Sequence, residues 1–228
     1  MNELTRRILM TILGVSICGL SVGLFSYSGM GLDPFQVFAH GTWSLFPLDY
    51  GTYYVILNAV LLIAIFFINR KKIGLGTLIN LFLVGYMAEF SENCLIRLLG
   101  PSAETSIWLR AVSLIVGIVI MCFSAAMYFT ADMGVSTYDA VAITLDERKL
   151  IRFGSHAPVP FKYIRIATDL ICVIIGGLLG GVIGVGTLVA AFFMGPLISF
   201  FNRTAAIPMR YGKNADIDAI LEEQKKRH

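Results

Sequence analysis

Six stretches of apolar residues, each about long enough to cross a bilayer, recur along this 228-residue chain and leave room for little else. They lie at about 8–28, 50–68, 75–96, 107–130, 161–180 and 183–202. A helix rising about 1.5 Å per residue needs roughly 20 such residues to span the hydrocarbon layer. Charged residues make up only 14% of the chain, against about 25% in a soluble domain. Six spans with short connections are expected to use up these residues and leave no room among them for a folded soluble domain. The expected fold class is an all-α membrane protein of about six transmembrane helices, with the lipid bilayer as its main partner.

The net charge of +3 does not point to nucleic acid, because the basic residues sit at the ends of the spans. When the spans alternate in direction, every Lys and Arg except Arg97 and Arg110 falls on one side of the membrane. The positive-inside rule makes that side cytoplasmic, so both termini are expected in the cytoplasm of a multi-pass cell-membrane protein. The first run is read as a span and not as a cleaved leader, because it aligns with a later internal segment. Tyr27, Trp43, Tyr50, Tyr53, Tyr54 and Trp108 fall on the outer side, as an interfacial aromatic belt would.

That alignment is an internal repeat. Moved by 103 positions, Arg7 meets Arg110, Gly14 meets Gly117, and Met30-Gly31 meets Met133-Gly134. Moved by 110, Tyr53 meets Tyr163, Asn58 meets Thr168, and Gly74-x-Gly76-Thr77-Leu78 meets Gly184-x-Gly186-Thr187-Leu188. Each copy holds three spans, an odd number, so the second copy must enter the bilayer from the opposite side. Two inverted three-helix repeats are an architecture of secondary transporters. The units are placed at 1–100 and 101–205, with a polar cytoplasmic tail at 206–228.

After its first span each copy carries a glycine break and then a short apolar stretch. Asp33 or Ser136 offers an N-cap, and Pro34 suits the first helical position. Short helices are therefore expected at about 34–45 and 137–149. They are either re-entrant or interrupted helices lining a central cavity, or amphipathic helices on opposite membrane surfaces. In the first case the donors at their N-termini, near Gly31 and Gly134, would face a solute.

The residues Gly31-Leu32-Asp33-Pro34-Phe35, Gly51-Thr52, Gly74-Leu75-Gly76-Thr77 and Gly85 resemble the YczE/YitT-like group of bacterial integral membrane proteins. The likeness runs over roughly residues 5–203. Relatives of this type often carry Pro-Trp-Asp after the first glycines. Here that Asp position is Gln36 in the first copy and Asp139 in the second. The resemblance implies a membrane fold more than an activity.

Ionisable groups inside a span cost a few kcal/mol and call for a reason. Asp169 lies about 12 Å into the fifth run, counted from Phe161 at 1.5 Å per residue. Arg165 stands one turn before it, so the pair is either a buried structural ion pair or a proton or solute site. Glu89 is either part of a vestibule or simply near the outer surface. Asn58 and Thr168 add repeat-equivalent polar groups at mid-depth. The Gly-x-Gly-Thr pairs are read as close helix contacts, not phosphate loops.

Cys18, Cys94, Cys122 and Cys172 lie in apolar runs without paired spacing and are read as small buried side chains. With three scattered histidines they give no metal site, and no cofactor is implied. No Ser/His/Asp or Cys/His arrangement marks an enzyme. The residues expected to bind solute are Asp169, Arg165, Asp139, Asp33, Gln36, Asn58, Thr168, Glu89, Gly31 and Gly134. The leading expectation is a small secondary transporter or facilitator for a small polar solute, anions included, with a homodimer left open. The alternatives are a substrate-binding subunit that needs an energising partner, or a membrane scaffold or regulator that transports nothing.

Overall fold

The computed structural model describes residues 2–69, 73–134, 136–147, 152–153, 157–158, 161–212, 216–217 and 219–220. These form α1 (Glu3–Ser28), α2 (Pro34–Trp43), α3 (Tyr50–Asn69), α4 (Leu75–Leu99), α5 (Ile107–Ala131) and α6 (Thr137–Glu147). They are followed by α7 (Phe161–Leu178), α8 (Val185–Phe201) and α9 (Ile207–Tyr211). The extra residues between α6 and α7 hold a two-residue antiparallel strand pair, β1 (Arg152–Phe153) and β2 (Ala157–Pro158).

Four helical stretches are long and apolar enough to cross a membrane: Glu3–Ser28, Tyr50–Ile68, Ile107–Ala131 and Val185–Tyr211. The other two expected spans are helical as well, with 25 residues in α4 and 18 in α7. Glu89, Glu92 and Arg97 lie in α4, and Ile166–Leu178 of α7 is a shorter apolar stretch.

Helix α1 sits at the centre and packs on both α4 and α5. Small residues let the backbones approach. A Cβ on Gly19 would stand 2.9 Å from the Val84 carbonyl of α4, and one on Gly14 3.1 Å from the Ser124 carbonyl of α5. The two helices run antiparallel. Arg7, near the start of α1, donates from Nε to the carbonyl of Ala131 at the end of α5 (2.8 Å). Arg110, near the start of α5, donates from Nε to the carbonyl of Ser28 at the end of α1 (2.7 Å).

The short helices cross over. α2 packs on α7, and α6 packs on α3. At the first of these contacts a Cβ on Gly41 would come within 2.1 Å of the Gly176 carbonyl.

One expectation needs correction. Tyr27, Tyr50, Tyr53 and Tyr54 do not form an interfacial belt, since all four are at most 7% exposed. Their hydroxyls or rings find partners inside. The Tyr27 hydroxyl, for example, donates to the Gly100 carbonyl at 3.0 Å, and the Tyr53 ring stacks on Phe46. Of the six aromatics expected in the belt, Trp108 alone is strongly exposed, at 79%. Beyond residue 205, Ala206, Ile207 and Arg210 are buried. Arg210 donates to the Thr130 carbonyl at the end of α5 and pairs with Glu3 at 3.7 Å. The chain around α9 is therefore part of the packed unit, at the same end as the start of α1. Most of the remaining tail lies outside the described residues.

Candidate functional site

The site is built from the two breaks that follow α1 and α5. Gly31 has φ +113° and Gly134 φ +110°, a region that L side chains rarely adopt. The freed backbone docks across the molecule. The Met30 carbonyl accepts the Gly186 N–H at 2.8 Å, and the Met133 carbonyl accepts the Gly76 N–H at 2.7 Å. Each Gly-x-Gly-Thr turn thus receives the break of the other half of the chain. The glycines serve close approach, as expected, but their neighbour is the loop and not a second helix.

This docking brings the first turns of α2 and α6 together. Phe35 and Tyr138 occupy repeat-equivalent positions, and their rings stack with centroids 4.7 Å apart. Asp33 caps α2, its carboxylate accepting the N–H groups of Phe35 (3.2 Å) and Gln36 (3.3 Å). At α6 the Ser136 hydroxyl accepts the Asp139 N–H (3.1 Å) and donates to the Asp139 carboxylate (2.7 Å). The helix-end donors expected to face a solute are thus largely taken up by the chain's own side chains.

Polar contacts radiate from this centre. The Tyr50 hydroxyl donates to the Gln36 side-chain carbonyl. The Thr137 hydroxyl donates to the Asn58 side-chain carbonyl, and the Asn58 amide donates to the Tyr54 carbonyl at 2.9 Å. The Tyr138 hydroxyl donates to Asp169, with Thr168 also in hydrogen-bonding contact with that tyrosine. Gln36 and Asn58 are buried.

Of the residues singled out in the sequence, Asp33, Gln36, Asn58, Asp139, Thr168, Asp169, Gly31 and Gly134 are gathered around the two short helices. Glu89 lies on α4. It accepts the Gly51 N–H at 2.8 Å and so closes the first turn of α3. The Arg165 side chain lies outside the described residues. Phe35, Tyr138 and Tyr50 also enter the centre, though none was among the residues expected to bind solute. The signal for the first two was in the repeat, which places an aromatic residue second in both short helices.

A bundle of apolar helices around a buried polar centre defines an integral membrane protein. The chain belongs to a family of unknown function, DUF6198, which matches residues 5–203. It is similar to the uncharacterized membrane protein YczE of Bacillus subtilis (strain 168). The two are 23% identical over 203 residues, covering 87% of this chain and 86% of that protein. It is likewise similar to an uncharacterized protein of Haemophilus influenzae (strain Rd), 27% identical over 205 residues, covering 89% of this chain and 87% of that protein. The resemblance to a YczE-like membrane family thus holds. No solved structure matches the chain.

Proposed function

We propose that this protein is a small secondary transporter or facilitator that passes a small polar solute between its two halves. Its six long helices would cross the cell membrane as two inverted repeats, with both termini in the cytoplasm. One observation carries the reading: the reciprocal docking of the Met30 and Met133 carbonyls onto Gly186 and Gly76. Repeat-related elements exchange equivalent bonds across a shared centre, as expected for halves related by a two-fold axis in the membrane plane. The antiparallel pairing of α1 and α5 supports the inversion. The carboxylate of Asp169 supports a function at the centre, since a charge at that depth is costly unless it is used or paired.

The test is flux in proteoliposomes containing the purified protein alone. Uptake of labelled small amines, amino acids and carboxylates is followed, together with proton movement reported by a trapped pH dye. At least one of these should move faster than in protein-free vesicles, and Asp169→Asn should abolish that movement while the protein still purifies as a monodisperse species. No movement of any of them would refute transport by the lone chain. Wild-type flux in Asp169→Asn would remove Asp169 from the solute path.

A further inference from the structure

The chain that follows α4 and the chain that follows α8 each turn back to the end of a central helix. After α4, the Gly100 carbonyl accepts the hydroxyl of Tyr27, in the last turn of α1, at 3.0 Å. After α8, Arg210 of α9 donates to the carbonyl of Thr130, in the last turn of α5. The two ties join corresponding positions of the internal repeat. A move of 103 positions carries Tyr27 to Thr130, and one of 110 carries Gly100 to Arg210.

Each tie lies just before a docked break. Tyr27 precedes Met30, whose carbonyl accepts the Gly186 N–H, and Thr130 precedes Met133, whose carbonyl accepts the Gly76 N–H. Holding the helix end therefore holds the carbonyl that crosses to the other half.

The chemistry of the two ties differs. Tyr27 and Gly100 are joined by neutral groups. The tie at α9 is made by a guanidinium, with the Arg210 side chain 5% exposed. Around that charge stand the Thr130 carbonyl, the Tyr211 ring at 4.7 Å, and the Glu3 carboxylate at 3.7 Å on a side chain 69% exposed. A second cation, Arg6, donates to the Arg210 carbonyl at 2.7 Å and adds like charge. The buried Nε of Arg210 has no hydrogen-bond partner among the described residues. Burying a cation is costly unless its charge and its donors are matched. A tie that only had to hold would be better satisfied than this one. The helix itself is irregular here. Between α8 and α9 it widens into a π turn, Asn202–Ala206, a departure common at functional sites. The Asn202 side-chain oxygen accepts the Thr130 hydroxyl at 2.6 Å, so Thr130 is gripped from both sides of that turn.

We propose that α9 is a releasable latch. While Arg210 holds Thr130, the Met133 break stays docked on Gly76. When α9 lets go, that break is freed, and the Met30 break, tied separately through Tyr27, is not. The two ends of the molecule are thereby released one at a time. As the gate of a solute path the latch rests on the transport reading; as a latch it does not.

The test is hydrogen–deuterium exchange of the purified full chain in detergent, read by mass spectrometry on peptides that contain Gly76 and Gly186. These two N–H groups report the two docked carbonyls. Arg210→Met should speed exchange at Gly76 about tenfold, the loss of one charge-assisted hydrogen bond, and leave Gly186 unchanged. Tyr27→Phe should do the opposite, speeding Gly186 about fivefold, the loss of one neutral bond. If Arg210→Met does not fold, Glu3→Gln decides instead. It removes the counter-charge from an exposed side chain and should speed Gly76 about twofold relative to Gly186.

Unchanged exchange at Gly76, an equal rise at Gly76 and Gly186, or a rise at Gly76 in Tyr27→Phe would each overturn the latch. A selective rise at Gly76 in a protein that moves no solute in proteoliposomes would keep the latch and sink the transport reading. Flux without the selective rise would do the reverse.

Discussion

Replacing Gly74 by Ala tests the cross-docking of the two halves. Gly74 has φ −139°, extended backbone open to any residue, so the substitution acts by volume alone. The added Cβ would lie 2.2 Å from the Met133 carbonyl oxygen and 3.0 Å from the Gly134 Cα. These are backbone atoms, and the loop must retreat by about 1 Å to restore ordinary contact. Overpacking of this kind costs about 1–3 kcal/mol. The retreat also stretches the 2.7 Å bond from the Gly76 N–H to Met133, worth about 0.5–1.5 kcal/mol. The expected loss is about 2–4 kcal/mol, or roughly 5–15 °C in the midpoint for a chain of this size.

Thermal unfolding in detergent measures it. Gly184→Ala should behave alike, since its Cβ would lie 2.3 Å from the Met30 carbonyl oxygen. Gly195→Ala is the control. Nothing lies within 4 Å of a Cβ there, and Ala favours a helix over Gly by about 1 kcal/mol, so its midpoint should hold or rise. If Gly74→Ala and Gly184→Ala both stay within about 2 °C of the unsubstituted protein, the docked carbonyls are not what joins the halves.

Two further outcomes follow from the placement of charge. A reporter fused after His228 should read cytoplasmic and one fused after Gly100 external; the opposite pattern would overturn the inverted topology. Glu89→Gln should leave the unfolding midpoint near its original value, because an amide oxygen can still accept the Gly51 N–H, whereas Glu89→Ala should lose about 1–3 kcal/mol. Loss of flux in a well-folded Glu89→Gln protein would instead return this carboxylate to the solute path.

Much of this architecture is legible in the sequence because it is local. Apolar run length sets the helices, and the observed ends fall within a few residues of those expected for most spans: 50–69 for α3 against 50–68, and 107–131 for α5 against 107–130. Asp33-Pro34 announces the start of α2 because a cap and a preset φ act within three residues. The repeat places equivalent residues in order, and so marked Gly31, Gly134 and the two Gly-x-Gly-Thr turns as a set.

What hydropathy cannot say is which face of a helix turns inward, since lipid and protein interior are about equally apolar. Tyr50 and Tyr54 therefore read as interfacial, while the folded chain buries them beside α2. Nor can periodicity tell that α2 leaves its own half to pack on α7, because that contact joins residues far apart in the chain. Glu89 read as either a vestibule group or one near the outer surface, and only packing showed that its carboxylate accepts the Gly51 N–H. The sequence by itself determined the membrane and the helices, both consequences of local composition and spacing. The tertiary structure decided that the halves interlock through backbone carbonyls and that Phe35 and Tyr138 stack where the two short helices begin, because those proximities arise only when distant segments pack.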